Sequence, residues 1–349
     1  FRFAYSVRGP QWWGGGRAAR GAPRRPHGEV GTGRASAKLI LFGEHVVLYG
    51  KPAISLPVPS LPVTARARRR PGPVVIESST LDSGRRELSA ASQLDASAVP
   101  RLAVSAVCEY LDRPDDGLFV TVDSGIPAGR GFGSSAASSA AIIEAVARLW
   151  GRELDGDTMF ALIQQSESFA HGKASGVDAR TVISRGGPMW FQEGAVAPLP
   201  VAAGAAQPVL VVADTGVNGS TRQAVSTVHR NLVTLGATGT DLLERAGAMT
   251  TAAATDLAAG RFADVGAKMT ATHFILDRLG VSCPEIETLV GAALEAGALG
   301  AKLSGGGLGG CVIALAADAA AAAQLHTVLL AAGADRCHTV ALDASEVRS

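Results

Sequence analysis

The stretch Pro127-Ala-Gly-Arg-Gly-Phe-Gly-Ser-Ser-Ala-Ala137 decides the fold of this 349-residue chain. An apolar run at residues 118–122 precedes it and predicts a β-strand, and the alanine-rich segment after it has helical spacing to about Trp150. The three glycines between them let the backbone turn sharply. The sequence therefore predicts a strand, a glycine-rich loop and a helix in direct succession.

The same loop is a candidate phosphate site. Its amides can point into one concavity, and the free amides and dipole of a helix N-terminus favour an anion there. A serine hydroxyl at the helix start can also ligate magnesium. The Gly-Lys-Ser/Thr ending of a Walker A loop is missing, so the pattern alone fits a capped helix after a glycine turn equally well. The candidate phosphate-binding residues are Gly129, Gly131, Gly133, Ser134, Ser135 and Ala136.

Two acids further along the chain are candidate catalytic groups. Glu167 lies in a predicted helix that ends near His171, and Asp178 follows the loop Gly172-Lys-Ala-Ser-Gly-Val. Because that helix is predicted to end near His171, Glu167 and Asp178 do not lie on one helix, but a loop that turns back could bring the two carboxylates together. One could then hold magnesium while the other meets a substrate hydroxyl. The alternative is that Glu167 is a solvated helix residue and Asp178 a helix cap, without a catalytic role for either.

Two other segments combine glycine with charge. Lys302-Leu-Ser-Gly-Gly-Gly-Leu-Gly-Gly-Cys311 places five glycines before an apolar strand, and close backbone approach to a ligand or another loop would explain so many. A tight connection between a helix and a strand needs only one or two glycines. Lys38-Leu-Ile-Leu-Phe-Gly-Glu-His45 is an apolar strand with charged ends, which would suit the wall of a cleft, although a lone Lys or His is more often a surface or core residue.

Composition and element order limit the class of protein. The length favours two domains, and the formal net charge of +1 gives no basic excess for nucleic-acid binding. Prolines interrupt the uncharged stretch at residues 195–213, which argues against a membrane span. The four cysteines lack CxxC spacing, which favours idle thiols in a cytoplasmic protein. Mixed strands and helices predict an α+β fold, with a boundary near 185–215 and a loop at 78–98.

The glycine and charged segments together resemble the GHMP kinases. Three family motifs occur in the expected order at residues 38–50, 127–137 and 302–311, and the resemblance extends from about residue 33 to 345. It implies a two-lobed fold with an N-terminal ribosomal-protein-like βαβ domain and a C-terminal ferredoxin-like α/β domain. The implied division is 31–200 for the ATP-binding domain and 201–349 for the second. Residues 1–30 carry six arginines against one acid and are expected to form a disordered tail.

Within this family the motifs are most similar to those of the mevalonate kinases of bacterial type. The similar segments are Gly43-Glu-His-Val-Val-Leu-Tyr-Gly50, His171-Gly-Lys-Ala-Ser-Gly-Val-Asp178, Asp214-Thr-Gly-Val-Asn-Gly-Ser-Thr-Arg222 and Leu279-Gly-Val-Ser-Cys-Pro284. Ala174 replaces the usual proline, and Thr272-His273 stands where Asn-Gln is frequent. None of these departures removes a group to which the resemblance assigns a role.

The resemblance assigns roles to individual residues. Asp178 would face the acceptor hydroxyl, Lys38 would lie beside it, and Ser135 with Glu167 would hold magnesium. Glu44, His45, Thr221 and Arg222 are candidates for the substrate end. The third glycine loop would support the cleft through Ser304, Gly305, Gly306, Gly307 and Gly309.

The implied activity is transfer of phosphate from ATP, with Mg2+, to the 5-hydroxyl of mevalonate in the route to isoprenoids. Another GHMP kinase such as a phosphomevalonate kinase, or a catalytically silent ligand-binding regulator, is the alternative. A regulator would be expected to lose Lys38, Glu167 or Asp178, and all three are present. The implied partners are ATP and mevalonate, without nucleic acid or membrane; monomer and homodimer both stay open.

Overall fold

The computed structural model describes residues 30–80, 83–87, 98–127, 129–171, 175–184, 186–202 and 207–342. Nearly all of the predicted N-terminal tail lies outside these residues. The side chains at 80, 83–87 and 169–171 are not part of the description.

The first half of the chain builds a mixed sheet. Its strands are β1 (Val30–Phe42), β2 (Ala53–Arg69), β3 (Val75–Thr80), β4 (Ser83–Glu87), β5 (Leu118–Ser124), β6 (Met189–Gln192) and β7 (Ala195–Pro198). Within the described residues their order is β4-β3-β5-β2-β6-β7, and β1 pairs with β2 along most of its length. Among the strand pairs in the described part of this sheet, β3 and β5 run parallel and the others are antiparallel.

Helices cover this sheet. They are α1 (Val99–Tyr110), α2 (Ser134–Leu149), α3 (Gly156–His171) and α4 (Val177–Val182), and a short 3-10 helix (Val46–Tyr49) joins β1 to β2. Because α1 lies in the connection between parallel β3 and β5, these elements form the predicted βαβ unit. Pro100 stands in the first turn of α1, where its missing amide hydrogen costs nothing.

The second half of the chain builds an antiparallel sheet with helices. Its elements are β8 (Val209–Asp214), α5 (Thr221–Leu235), α6 (Ala237–Ala259), α7 (Phe262–Arg278), α8 (Pro284–Glu295), β9 (Gly300–Ser304), β10 (Cys311–Ala316), α9 (Ala319–Ala331) and β11 (Arg336–Ala341). The strand order is β11-β8-β10-β9. Ser220 and Asp318 cap α5 and α9 by accepting from the amides of Gln223 and Ala321.

The two sheets with their helices confirm the predicted α+β class and the two-lobed architecture. Two elements differ from the sequence prediction. The loop expected at 78–98 contains the end of β3 and all of β4, with residues 88–97 outside the described part. Strand β9 was missed because Gly300–Ser304 is short and runs directly into glycines. The exact division at residue 200 stays a prediction.

Close packing of β1 on α2 sets the position of the site. A Cβ atom on Gly31 or Gly33 would lie 2.0 Å from the carbonyl oxygen of Ala145 or Ala141, so only glycine lets the strand approach the helix backbone this closely. Further along β1, the amide of Lys38 donates to the carbonyl of Phe132 at 2.9 Å. The buried end of the strand therefore reaches the glycine loop that precedes α2.

No helix in the described part of the chain combines the length and the apolar character needed to cross a lipid bilayer.

Candidate active site

Lys38 and Asp178 form an ion pair beside the glycine loop that precedes α2. The Lys38 Nζ lies 2.9 Å from Asp178 Oδ1, and the two side chains are 3% and 41% exposed. Lys38 lies in the second half of β1, where every residue from 37 to 42 is buried. Asp178 lies in the first turn of α4, two residues after Gly176. The burial fixes the ammonium group, and the exposed carboxylate can still meet a ligand.

The first glycine loop packs directly on the Lys38 side chain. Gly133, the residue before α2, has a φ of 71°, a conformation that side-chain-bearing residues rarely adopt. A Cβ atom there would lie 2.7 Å from Lys38 Cγ. Glycine at 133 thus serves both the turn and the space that the lysine needs.

Ser135 and Glu167 meet beside this pair. The Ser135 hydroxyl donates to Glu167 Oε1 at 2.6 Å, linking the first turn of α2 to α3. Burial raises the pKa of Glu167 to about 7; the Ser135 hydrogen bond opposes this rise, and the negative charge of Asp178 adds to it. The acids separated by eleven positions are therefore close enough in space to interact electrostatically.

The Ser135–Glu167 pair has the chemistry of a magnesium site. Mg2+ prefers oxygen ligands and usually takes only one or two protein groups, with phosphate and water oxygens completing its shell. The Ser135 hydroxyl at the start of α2 and the buried Glu167 carboxylate of α3 match that need, since a cation would offset the cost of burying the charge. Among the described residues, three or more His, Cys, Asp or Glu side chains do not gather into a metal cluster.

The first and third glycine loops lie against each other. A Cβ atom on Gly131 would be 3.1 Å from the carbonyl oxygen of Ser304, and one on Gly305 would be 3.1 Å from Gly131 Cα. The Ser304 hydroxyl donates to the carbonyl of Ile40 at 2.9 Å and accepts from its amide at 3.2 Å. The many glycines at 305–310 thus allow backbone contact between the two loops.

Glu44 is buried in an ion pair with Lys302. The carboxylate Oε1 contacts the Lys302 Nζ, and both side chains are 0% exposed. Lys302 Nζ also donates to the carbonyl of Leu303 at 2.6 Å. Burial raises the pKa of Glu44 and lowers that of Lys302, and the pairing opposes both changes. The structure thus places Glu44, a predicted substrate-binding residue, against the second lobe.

His45 also joins the two lobes. Its φ is 60°, and its Nε2 lies 2.8 Å from the carbonyl oxygen of Gly306. Because a carbonyl only accepts, Nε2 carries the hydrogen, and burial lowers the pKa of His45 and so favours the neutral ring. Thr221 also packs against Gly306, since its Oγ1 would lie 3.1 Å from a Cβ atom added at Gly306. The next residue, Arg222, is exposed.

An Arg130–Asp214 ion pair was not predicted from the sequence. Arg130 Nε lies 3.1 Å from Asp214 Oδ2, with side-chain exposures of 14% and 1%. Both residues stand inside quoted motifs, yet nothing in either motif indicates that the other is its partner. Lys302 was also assigned no role from the sequence. A lysine between apolar residues is nevertheless a sign that a buried acidic partner lies nearby.

Comparison with known proteins supports the resemblance. The family "GHMP kinases N terminal domain" matches residues 99–187, and the family "GHMP kinases C terminal" matches residues 253–335. A mevalonate kinase from Thermococcus sibiricus is 35% identical over 302 residues, covering 81% of this chain and 88% of that protein. One from Aeropyrum pernix is 37% identical over 291 residues with the same coverage.

A solved structure extends the comparison to the fold. The crystal structure of L. major mevalonate kinase in complex with R-mevalonate superposes with a TM-score of 0.78 at 26% sequence identity. The superposition covers 93% of this chain and 99% of that one.

Proposed function

This chain belongs to the mevalonate kinase family of the GHMP kinases, and we propose that it transfers the γ-phosphoryl group of ATP to the 5-hydroxyl of mevalonate. Membership rests on identities of 35% and 37% to mevalonate kinases of which the chain covers 88%. As a kinase of this family the protein uses ATP.

One observation carries the proposal: the Lys38–Asp178 ion pair and the Ser135–Glu167 hydrogen bond lie next to each other at the N-terminus of α2. Phosphoryl transfer has a loose transition state with charge on the equatorial oxygens, so catalysis consists mainly of positioning and electrostatic stabilisation. A lysine, a carboxylate, a candidate magnesium site and a glycine loop provide those elements beside the start of α2.

Each residue has a definite part in the proposed reaction. Asp178 orients the acceptor hydroxyl and accepts its proton, and Lys38 stabilises the negative charge that develops on the transferred group. The amides of Gly131, Gly133 and Ser134 face the phosphates at the helix N-terminus. Magnesium held by Ser135 and Glu167 would neutralise charge on the β- and γ-phosphates.

Charge pairing in the cleft favours an acceptor without a phosphate. Two buried cations each lie against a carboxylate of the protein: Lys38 against Asp178, and Lys302 against Glu44. A phosphorylated acceptor would add about two negative charges and would compete with those carboxylates for the same cations. Mevalonate therefore fits the described residues better than phosphomevalonate does.

The deciding experiment is a coupled ADP-release assay with ATP and magnesium. Mevalonate, phosphomevalonate, galactose and homoserine would be compared as acceptors at equal concentration. We expect turnover with mevalonate and at most trace activity with the others. Preferred turnover of phosphomevalonate would overturn the substrate assignment, and folded protein that binds ATP without any turnover would instead support the regulator.

A further inference from the structure

We propose that Arg130 and Asp214 are a positioning pair that holds the phosphate-binding glycine loop in place by tying it to the second lobe. The proposal builds on the proposed function, because it concerns the nucleotide end of the same cleft. Neither residue is expected to touch the nucleotide itself.

The loop has little stiffness of its own. Gly129, Gly131 and Gly133 have φ values of 71°, 81° and 71°, and glycine loses more conformational freedom on ordering than any other residue. Between Gly129 and Gly133 the residues with side chains are Arg130 and Phe132. Phe132 is 1% exposed, and its ring lies edge-on to that of His338 on β11, with 6.2 Å between the ring centroids. Arg130 is thus the loop's charged side-chain connection to the second lobe, beside the aromatic contact of Phe132.

Asp214 is a rigid partner for this connection. It is the last residue of β8, paired with Cys311 on β10 and with Arg336 on β11. Its Oδ1 accepts from the amide of Gly216 at 2.9 Å, and its Oδ2 faces Arg130 Nε at 3.1 Å. The carboxylate is therefore oriented by the backbone before it meets the guanidinium group.

Backbone contacts lie on both sides of the ion pair. The amide of Gly219 donates to the carbonyl of Gly129 at 3.3 Å, and a Cβ atom on Gly310 would lie 3.3 Å from the carbonyl oxygen of Arg130. These contacts are weak or purely steric. The charged pair is the stronger restraint, since it is largely buried and screened little by salt.

Because Asp214 already offsets the charge of Arg130, Arg130 acts on the nucleotide through the conformation of the loop. A loop whose amides are already ordered does not spend binding energy on becoming ordered. Removal of the pair should therefore weaken nucleotide binding and leave binding of the acceptor at the far end of the cleft almost unchanged.

The test compares Arg130→Met, Arg130→Lys and the double variant Arg130→Met/Asp214→Asn with the wild type. Affinity for AMPPNP with magnesium is measured by calorimetry, and Tm by thermal unfolding. Arg130→Met should weaken AMPPNP binding by about 10-fold or more, as expected for displaced ligand-positioning groups. Arg130→Lys should restore part of it, since lysine keeps the charge but not the planar guanidinium geometry.

The double variant separates positioning from simple stability. Arg130→Met removes the cation beside a buried carboxylate, so Tm should fall, and Asp214→Asn removes the negative charge, so Tm should recover. AMPPNP affinity should stay low in the double variant because the charged connection is still missing. Recovery of affinity together with Tm, or wild-type affinity in Arg130→Met, would overturn the proposal.

A matched control uses another ion pair between the lobes. Lys51 Nζ lies 2.6 Å from Glu244 Oε1, outside the glycine loops. Glu244→Gln should leave AMPPNP affinity within about twofold of the wild type, because exposed pairs contribute little. An equal loss in Glu244→Gln would also overturn the proposal. Failure of the wild type to phosphorylate mevalonate would count only against the proposed function, because the AMPPNP comparison involves no acceptor.

Discussion

Replacement of Glu167 by glutamine should stabilise the metal-free protein at pH 8 while it removes turnover. Burial raises the pKa of Glu167 from 4.5 to about 7, and the side chain is only 8% exposed. The unfolded chain releases this proton at lower pH than the folded one. Ionisation therefore favours unfolding increasingly as the pH rises from about 4.5 to about 7, and the cost is complete above that window.

The size of the effect follows from the pKa values. At about 1.36 kcal/mol per pKa unit, the rise in the pKa of Glu167 corresponds to about 3 kcal/mol at pH 8 and to less than about 1 kcal/mol at pH 5. Glutamine keeps an oxygen that can accept from Ser135 but has no charge to bury. Glu167→Gln should therefore raise the free energy of unfolding by up to about 3 kcal/mol at pH 8.

Urea denaturation in EDTA at pH 8 and pH 5 measures this gain. Glu109, on the exposed face of α1, provides the control, and Glu109→Gln should change stability little at either pH. The coupled assay with magnesium should show a loss of turnover on the order of 100-fold or more in Glu167→Gln. A loss of stability at pH 8, or an equal gain at both pH values, would refute the reasoning about burial.

Three further substitutions test the rest of the site. Asp178→Asn should lower kcat by about 1000-fold with AMPPNP affinity nearly unchanged in calorimetry, because the acceptor's proton loses its base; a normal kcat would exclude that role. Lys302→Met should cost about 3–5 kcal/mol in urea denaturation by leaving Glu44 buried and unpaired, whereas Lys302→Met/Glu44→Leu should recover most of it; equal losses would contradict this account. Gly133→Ala should lower kcat by about 10-fold, since the added Cβ would displace Lys38, and an unchanged kcat would argue against this contact.

Local sequence patterns predicted most of the elements that surround the site. The glycine loop before α2 follows β5 as expected, and prolines mark the starts of α1 and α8. Strands β4 and β9 were missed because they are short and polar or glycine-flanked, so their pairing with a neighbour decides their conformation more than their own composition does. The roles assigned to the site residues stay predictions.

The sequence by itself determined the order of the motifs, the strand–loop–helix unit and the candidate groups Lys38, Glu167 and Asp178, since each depends on residue types close together in the chain. Only the tertiary structure decided which distant charges pair. Glu44 meets Lys302 across 258 positions, and Arg130 meets Asp214 on the opposite sheet. Such pairs depend on how two lobes pack and on which charges lose water, and hydrophobic periodicity along one strand or helix contains no information about either.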